Sequence, residues 1–293
     1  MTVPFIWQRK KPEDFIVKEI SDIPLEESGN FYIYLLSKCG ISTKELAKEL
    51  KFSYAGLKDA FALTFQKVCF DSFQGDFVRK ELEGGKWFIL KFLGKAKRKL
   101  KIGQLKGNKF AVNVSGFPYE LKSSFINYYD VQRIANNYER GKRIILAVLE
   151  GKKKRLKWLE NFLVDAYLSY LWNKSLELYL KELTDGIYIE EKGEKFFIPF
   201  RIDEEKLPKF WTVLGYKKKL LHSEPYYEKV LKEEGFELKE FISILKLMKI
   251  KGDYRMTYVR VRELREVAGR IFFFLPKGAY GTMYLKHIQA EMG

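Results

Sequence analysis

The segment Tyr54-Ala-Gly-Leu-Lys-Asp-Ala-Phe-Ala-Leu-Thr-Phe-Gln66 places a single acidic residue, Asp59, among small and apolar neighbours. Aspartate disfavours regular helix and sheet, and the Ala-Gly pair lets the backbone turn tightly or be approached closely. A carboxylate beside Lys58 would stay ionised and could act as a nucleophile or a base. Taken alone, the segment favours a plainer interpretation, a turn whose aspartate is satisfied by neighbouring amides.

Local patterns predict the elements on either side of this turn. Ser42 and Glu45 form a capping box, which predicts a helix over residues 43–51. Thr64 and Gln66 are expected to hydrogen-bond around the turn. Helical spacing of apolar residues predicts further helices within 141–183, from Ser223 and over 237–250. Strands are predicted at 15–20, 30–37, 52–55, 67–71, 87–93, 186–189, 196–199, 254–264 and 271–276.

The composition is that of a basic, globular chain. Its 293 residues suffice for two domains or for one domain with a large insertion, and 46% are hydrophobic. Lysine and arginine total 54 against 38 acidic residues, a net charge of +16 that attracts polyanions such as a phosphate backbone. The alternative is a basic surface without a nucleic-acid partner. The 24 Phe, 18 Tyr and 5 Trp are mostly core, but some could stack on unpaired bases.

Several function classes lack their sequence signals. The cysteines, Cys39 and Cys69, and the histidines, His222 and His287, do not have metal-ligand spacing, so neither a zinc site nor a disulfide framework is expected. No glycine-rich nucleotide loop supports a methyltransferase, and no clustered carboxylates or histidines support a metal-dependent nuclease. We see no signal peptide and no apolar run that could span a bilayer, so we expect a cytoplasmic protein without a membrane partner.

Five motifs together resemble one family. Tyr-Ala-Gly-Leu-Lys-Asp followed by Ala-Leu-Thr-x-Gln closely resembles the signature of the TruD family of tRNA pseudouridine synthases. The motif that begins at Asn127 departs from the family at Asp130, Ile134 and Ala135, where the family has Gly, Phe and Gly, and we expect a different backbone path or packing there. In the motif that begins at Leu275, Gly281 replaces the usual Ala. The other motifs are Pro-x-Asp-Phe-x-Val-x-Glu (12–19), Gly-Asn-x-Phe (107–110), Asn-Tyr-Tyr-Asp-Val-Gln-Arg (127–133) and Leu-Pro-x-Gly-x-Tyr-Gly-Thr (275–282).

The resemblance implies a fold and a domain organisation. The fold is α+β, a pseudouridine synthase catalytic domain with a mixed or antiparallel sheet and flanking helices, plus a smaller inserted α+β domain. The resemblance assigns residues 1–127 and 255–293 to the catalytic domain and 128–254 to the insertion.

The resemblance also implies site residues. Asp59 is the catalytic nucleophile, and Phe15, Asn108 and Tyr280 contact the target nucleotide. Lys58, or an arginine more distant in sequence, could keep Asp59 ionised, although Lys58 could equally face away, since consecutive residues of an extended segment point to opposite sides. The possible supporting residues are Phe110, for stacking or packing, and Gln132 and Arg133, of which Arg133 could contact a phosphate or brace the site.

The implied reaction converts a uridine of RNA, typically uridine 13 in the D arm of tRNA, to pseudouridine without cofactor, metal or ATP. A covalent sugar adduct and a glycal are both left open as the intermediate. Basic segments at 95–101, 152–157 and 255–265, with Arg260, Arg262 and Arg265, are expected to hold the RNA backbone. The alternative is a catalytically silent RNA-binding protein of the same fold.

Overall fold

The computed structural model describes residues 1–153 and 155–289. The strands are β1 (Thr2–Pro4), β2 (Phe15–Ile20), β3 (Phe31–Cys39), β4 (Ser53–Tyr54), β5 (Leu63–Phe70), β6 (Phe77–Leu82), β7 (Lys86–Ala96), β8 (Gly107–Asn113), β9 (Ser124–Ile126), β10 (Gly186–Glu191), β11 (Glu194–Pro199), β12 (Phe210–Val213), β13 (Asp253–Met256), β14 (Tyr258–Arg260), β15 (Arg262–Val267) and β16 (Arg270–Pro276). The helices are α1 (Thr43–Leu50), α2 (Val131–Ile134), α3 (Tyr138–Leu149), α4 (Trp158–Leu183), α5 (Glu224–Glu233), α6 (Leu238–Leu247) and α7 (Gly281–Ile288).

The described residues form two compact units. The sheet unit comprises 7–118 and 261–278, and the helix-rich unit comprises the described residues of 1–6, 119–260 and 279–289. The mixture of helices and strands confirms the α+β class. The predicted domain boundaries at 127/128 and 254/255, and the small insertion they delimit, stay a prediction.

The sheet unit is built on one nine-stranded sheet. Its strands lie in the order β15-β16-β8-β2-β5-β3-β7-β6, and β4 pairs with β5 outside this path. The β2–β5 pair is parallel and the other pairs are antiparallel, so the sheet is mixed, within the predicted mixed or antiparallel arrangement. The loop that carries Asp59 therefore connects two strands that are themselves paired, β4 and β5.

Apolar residues of β3 pack on both faces of this sheet. Tyr34 and Leu36 join Leu46 of α1 in one buried cluster, while Ile33 joins Cys69 of β5 in another. Burial of this kind contributes about 25 cal/mol per Å² of apolar surface. Because the sheet is covered on both faces here, the strands that frame the Asp59 loop are held by a core rather than by hydrogen bonds alone.

Helix α1 begins as the sequence predicts. The hydroxyl of Ser42 accepts a hydrogen bond from the Glu45 amide at 3.2 Å, and the Glu45 carboxylate accepts one from the Ser42 amide at 2.9 Å, which completes the capping box. The helix ends at Leu50, and Lys51 then adopts φ 58°, the left-handed conformation that closes a helix. The chain passes from there through β4 into the Asp59 loop.

The helix-rich unit is organised around α4. This 26-residue helix buries Tyr167 and Trp172 completely and packs against α3 and α5. Its strands form three small sheets, β1-β10-β11, β12-β13 and β9-β14. None of the helices in the described part of the chain is long and apolar enough to cross a membrane.

The prediction of one continuous strand over 254–264 is wrong. The segment forms β13, β14 and β15 instead, because it pairs in turn with β12, β9 and β16. At the first break Thr257 is buried, and its hydroxyl donates to the carbonyl of Pro208 at 2.5 Å. The period-two pattern read from the sequence therefore does not correspond to a single strand, because the pairing partner changes along the segment.

Candidate active site

The loop between β4 and β5 presents three side chains to solvent. Leu57, Asp59 and Phe61 are exposed, whereas Lys58 and Ala62 are buried, so the loop keeps the alternation of an extended segment. The carboxylate of Asp59 is 37% exposed. Its Oδ1 accepts a hydrogen bond from the Phe61 amide at 3.2 Å, which fixes its direction. The segment is thus both a turn with a satisfied aspartate and an accessible carboxylate, which the sequence had offered as alternatives.

Arg9 supplies the cation that faces this carboxylate. Its Nη2 lies 3.5 Å from Asp59 Oδ2, and its guanidinium lies over the ring of Phe15, 5.3 Å from the centroid. Nε and Nη1 of Arg9 are buried without a hydrogen-bond partner among the described residues. Arg9 is thus the arginine distant in sequence that faces Asp59. Nothing local in the run Arg9-Lys-Lys singled it out.

Lys58 has a different partner. Its ammonium lies 2.5 Å from Glu19 Oε2 on β2, and the side chains are only 6% and 0% exposed. Burial raises the pKa of Glu19, and the neighbouring Lys58 charge opposes that rise. Of the two orientations left open by the sequence, the structure shows the one in which Lys58 faces away from Asp59.

Gly56 makes room for this ion pair. A Cβ atom at this position would lie 2.8 Å from Lys58 Nζ and 2.9 Å from Glu19 Oε2, closer than side chains tolerate. The sequence predicted that other atoms could approach the backbone closely at the Ala-Gly pair. The atoms that do so belong to the buried Lys58–Glu19 ion pair.

Lys38 is a buried residue that the sequence did not single out. Its ammonium donates hydrogen bonds to the carbonyls of Ile41 and Asp59 at 2.8 Å each and to that of Lys58 at 3.4 Å. Burial lowers the pKa of Lys38 to about 8, and the charge of Asp59 opposes this shift. Lys38 thus ties strand β3 to the main chain of the Asp59 loop. The sequence feature that could have identified Lys38 is a lysine in a mostly apolar strand.

Gln66 and Thr43 fasten the other side of the loop. The Thr43 hydroxyl donates to Gln66 Oε1 at 2.7 Å, and Gln66 Nε2 donates to the Gly56 carbonyl at 3.1 Å. The hydroxyl of Thr43 also accepts from the Lys58 amide at 3.1 Å. The prediction for Gln66 is confirmed. The prediction for Thr64 is wrong, because its buried hydroxyl has no hydrogen-bond partner in the described structure.

Asn108 is placed beside this site by the sheet. It lies on β8 directly opposite Glu19 of β2 and is half-buried. Its Oδ1 is buried without a partner among the described residues. The side-chain amide of a half-buried residue on a rigid strand is suited to hydrogen-bond a base.

Phe15 and Phe110 form an aromatic cluster next to Arg9. Phe15 is buried against Trp7 and Phe110, with ring centroids 5.6 and 5.7 Å away. Phe110 in turn stacks on Phe273, with a 5.0 Å separation of the centroids. Of the two roles considered for Phe110, the structure shows packing.

Tyr280, Gln132 and Arg133 belong to the helix-rich unit. Tyr280 directly precedes α7, and burial raises its pKa, which the charges of Arg255 and Arg133 oppose. The Arg255 guanidinium lies 6.0 Å from the Tyr280 ring centroid and donates to the Asn127 carbonyl at 2.8 Å. Arg133 lies 3.5 Å from Asp165, while Gln132 is exposed on α2.

The residues that replace the family's glycines are accommodated by ordinary backbone. Asp130 has φ −84° and begins α2, and Ala135 has φ −54°. The Asp130 carboxylate is buried against the Lys286 ammonium at 2.6 Å and also accepts a hydrogen bond from Thr282. In this chain the Asp130 side chain is therefore held in a buried ion pair with α7, the helix that follows Tyr280. The expectation of a packing different from the family's stays a prediction.

Comparison with a solved structure identifies the fold. The fold matches the crystal structure of a Methanosarcina mazei protein described as "Putative tRNA pseudouridine synthase D (TruD)", with a TM-score of 0.58 at 20% identity over 96% of this chain and 92% of that one. At such identity the match shows the fold alone, a pseudouridine synthase fold.

The family follows from the sequence. The family model described as tRNA pseudouridine synthase D (TruD) matches residues 7–145 and 153–288, so the chain belongs to the TruD family of tRNA pseudouridine synthases. A Methanococcus maripaludis relative named "Probable tRNA pseudouridine synthase D 1" is 25% identical over 96% of this chain and 98% of its own length. A Campylobacter jejuni "tRNA pseudouridine synthase D" is 27% identical over 77% of this chain and 62% of its own. The chain is accordingly an isomerase that forms pseudouridine in tRNA.

Proposed function

We propose that this enzyme isomerises uridine 13 in the D arm of tRNA and that Asp59 is its nucleophile. The observation that supports this most strongly is the exposed Asp59 carboxylate, which faces Arg9 on a loop anchored by Lys38 and Gln66. A nucleophile must be reachable, charged and fixed in direction, and each of these contacts serves one of those needs. We place the reaction in the cytoplasm, the compartment expected from the sequence, with tRNA as the macromolecular partner and no cofactor.

The reaction begins when the target uridine leaves the base stack, at a cost of about a few kcal/mol. An Asp59 oxygen then attacks C1′, or initiates its reaction as a base, and the N1–C1′ bond breaks. The uracil turns and its C5 bonds to C1′. As that bond forms, the bond between the Asp59 oxygen and C1′ breaks in the covalent route, or the proton that Asp59 took from C2′ returns in the glycal route. The C5 proton is lost and N1 gains a proton, so that no atom is added overall. The carboxylate geometry is compatible with both a covalent sugar adduct and a glycal.

Three other side chains have roles in this proposal. Asn108 orients the detached uracil through its side-chain amide, and Phe15 contacts the base. A contact of Tyr280 with the nucleotide stays a prediction from the resemblance. Arg9 faces the Asp59 carboxylate, with Nη2 3.5 Å from Oδ2.

Mapping pseudouridine at single-nucleotide resolution tests the assignment of the substrate. A tRNA transcript incubated with the purified protein is expected to gain pseudouridine at position 13. The same transcript with cytidine at that position is expected to gain none. Modification at another position would contradict the site assignment. Tight binding without any pseudouridine would support the alternative, a catalytically silent RNA-binding protein.

The basic run at 95–101 contributes to RNA binding through part of its charge. Two of its cations are already engaged with carboxylates at 2.7 Å, whereas Arg98 and Lys101 are exposed and make no ion pair within the described residues. An exposed cation without a carboxylate neighbour is freer to replace counterions on a phosphate backbone. The engaged pairs are Lys97–Glu26 and Lys99–Asp71.

Replacing Arg98 and Lys101 with alanine is therefore expected to weaken tRNA binding more at low salt than at high salt. Each lost phosphate contact should reduce the slope of log affinity against log salt by roughly 0.7 to 0.9. Filter binding from about 50 to 300 mM salt measures this slope. The control is the double alanine variant of Lys48 and Lys80, exposed cations of the same unit. Equal slopes for the wild type and the Arg98/Lys101 variant would remove this run from the binding surface.

A further inference from the structure

Two exposed apolar side chains flank the nucleophile. Phe61 is 74% exposed and Leu57 is 61% exposed, and each lies two residues from Asp59 on the same, outward side of the loop. A hydrogen bond from the Phe61 amide to Asp59 Oδ1 at 3.2 Å fixes the Phe61 backbone beside the carboxylate. The neighbouring Ala62 is fully buried, so the loop has an inward side on which an apolar residue can be covered.

The placement of these side chains is maintained by the structure of the loop. Lys38, Gln66 and the buried Lys58–Glu19 pair hold the inward side of the loop, which leaves positions 57, 59 and 61 facing out. An aromatic ring exposed to water next to a reactive carboxylate carries a hydration cost that burial against a ligand would relieve.

The chemistry of the substrate offers a partner for such a ring. When a uridine leaves the stack to reach Asp59, the neighbouring base loses one stacking partner. Every base has a π face, and stacking on an aromatic side chain contributes regardless of base identity. Arg9, whose guanidinium faces Asp59, adds positive charge where the RNA backbone must approach.

We infer that Phe61 is the stacking platform for an RNA base adjacent to the reacting uridine, with Leu57 supporting the nucleotide on the other side of Asp59. The inference rests on the proposed function, because it takes an RNA strand to be bound over Asp59. Phe61 stabilises the flipped state of the RNA by replacing a stacking contact that the RNA loses. It is a positioning residue that makes no contact with the reacting atoms.

The first test compares Phe61→Ala with Phe61→Trp. The alanine variant is expected to bind the tRNA transcript roughly 5- to 100-fold more weakly, whereas the tryptophan variant, which keeps an aromatic face, binds within about threefold of the wild type. The matched control is Phe77→Ala, which removes a phenyl ring that is 62% exposed on β6 of the same unit. Phe77→Ala is expected to bind as the wild type does.

The second test reads stacking directly. A tRNA carrying 2-aminopurine next to the target uridine, on its 5′ or its 3′ side, is bound to protein in the Asp59→Asn background, which prevents turnover. Quenching of the 2-aminopurine fluorescence on binding is expected when Phe61 is retained and in the Phe61→Trp variant, but not in the Phe61→Ala variant. Circular dichroism of each free variant, expected to match that of wild type, shows that the fold is retained.

The outcomes separate the two proposals. If the wild type forms no pseudouridine in any tRNA but Phe61→Ala still loses affinity and quenching, the proposed function fails and the stacking role stands. If Phe61→Ala binds and quenches as the wild type does, the stacking role is wrong, whatever the enzyme's activity. Loss of affinity in Phe77→Ala to the same extent would also overturn it, since the effect would then be that of any exposed ring.

Discussion

Asp59→Asn is expected to lower pseudouridine formation by at least roughly a thousandfold while tRNA affinity changes by less than about twofold. Asparagine keeps the shape of the side chain, and its Oδ1 can still accept a hydrogen bond from the Phe61 amide. It lacks the carboxylate that, in the proposed mechanism, attacks C1′ or removes a proton, and it cannot pair with Arg9 as a carboxylate does. Single-turnover assays with excess enzyme measure the chemical step, and filter binding measures affinity.

The matched control for this variant is Asp76→Asn, which removes an equal charge from an exposed aspartate directly before β6. Its activity is expected to equal that of wild type within about twofold. An active Asp59→Asn enzyme would exclude this carboxylate from the mechanism. A variant that also lost RNA binding would instead assign Asp59 a role in holding the substrate.

Lys58→Met is expected to destabilise the protein by about 3 to 5 kcal/mol, because it leaves the Glu19 carboxylate buried without its counter-charge. Glu19→Leu should cost a similar amount for the converse reason. The double variant is expected to be more stable than either single variant, since two apolar side chains of similar length can pack where the ion pair was. Urea unfolding followed by circular dichroism gives the three values and their coupling.

An exposed pair provides the comparison. Arg79 and Glu81 lie 2.7 Å apart with side chains that are 65% and 72% exposed. Arg79→Ala is expected to change stability by less than about 1 kcal/mol, the usual range for a surface pair. A Lys58→Met cost that small would show that the buried pair contributes no more than a surface pair does.

The sequence predicted those features of the site that depend on neighbouring residues. The capping box of α1 and the exposed turn at Asp59 follow from local chemistry, and the structure contains both. The mixed sheet was also predicted, through family resemblance rather than from periodicity. These agree because short-range preferences and tertiary packing favour the same arrangement there.

Features that depend on residues distant in sequence could not be predicted from neighbouring residues. The choice between the two directions of Lys58 depends on Glu19, 39 residues earlier, which β2 brings alongside. Arg9 looks like any of three consecutive basic residues until the fold sets it against Asp59. Strand 254–264 was misread because its pairing partner changes twice, and periodicity within one segment carries no information about partners. We predicted a hydrogen bond around the turn for Thr64, but its buried hydroxyl has no hydrogen-bond partner among the described residues.

The order of strands in the nine-stranded sheet has a consequence for biosynthesis. Strand β8, which carries Asn108, ends at Asn113 and is flanked by β2 and β16, whereas β16 begins only at Arg270. A nascent chain therefore exposes one edge of β8 until the whole helix-rich stretch between them has left the ribosome. Unpaired edges invite pairing with other chains, and late, non-local closure slows folding. The sheet that carries Asn108 therefore cannot be completed before β16 has been synthesised.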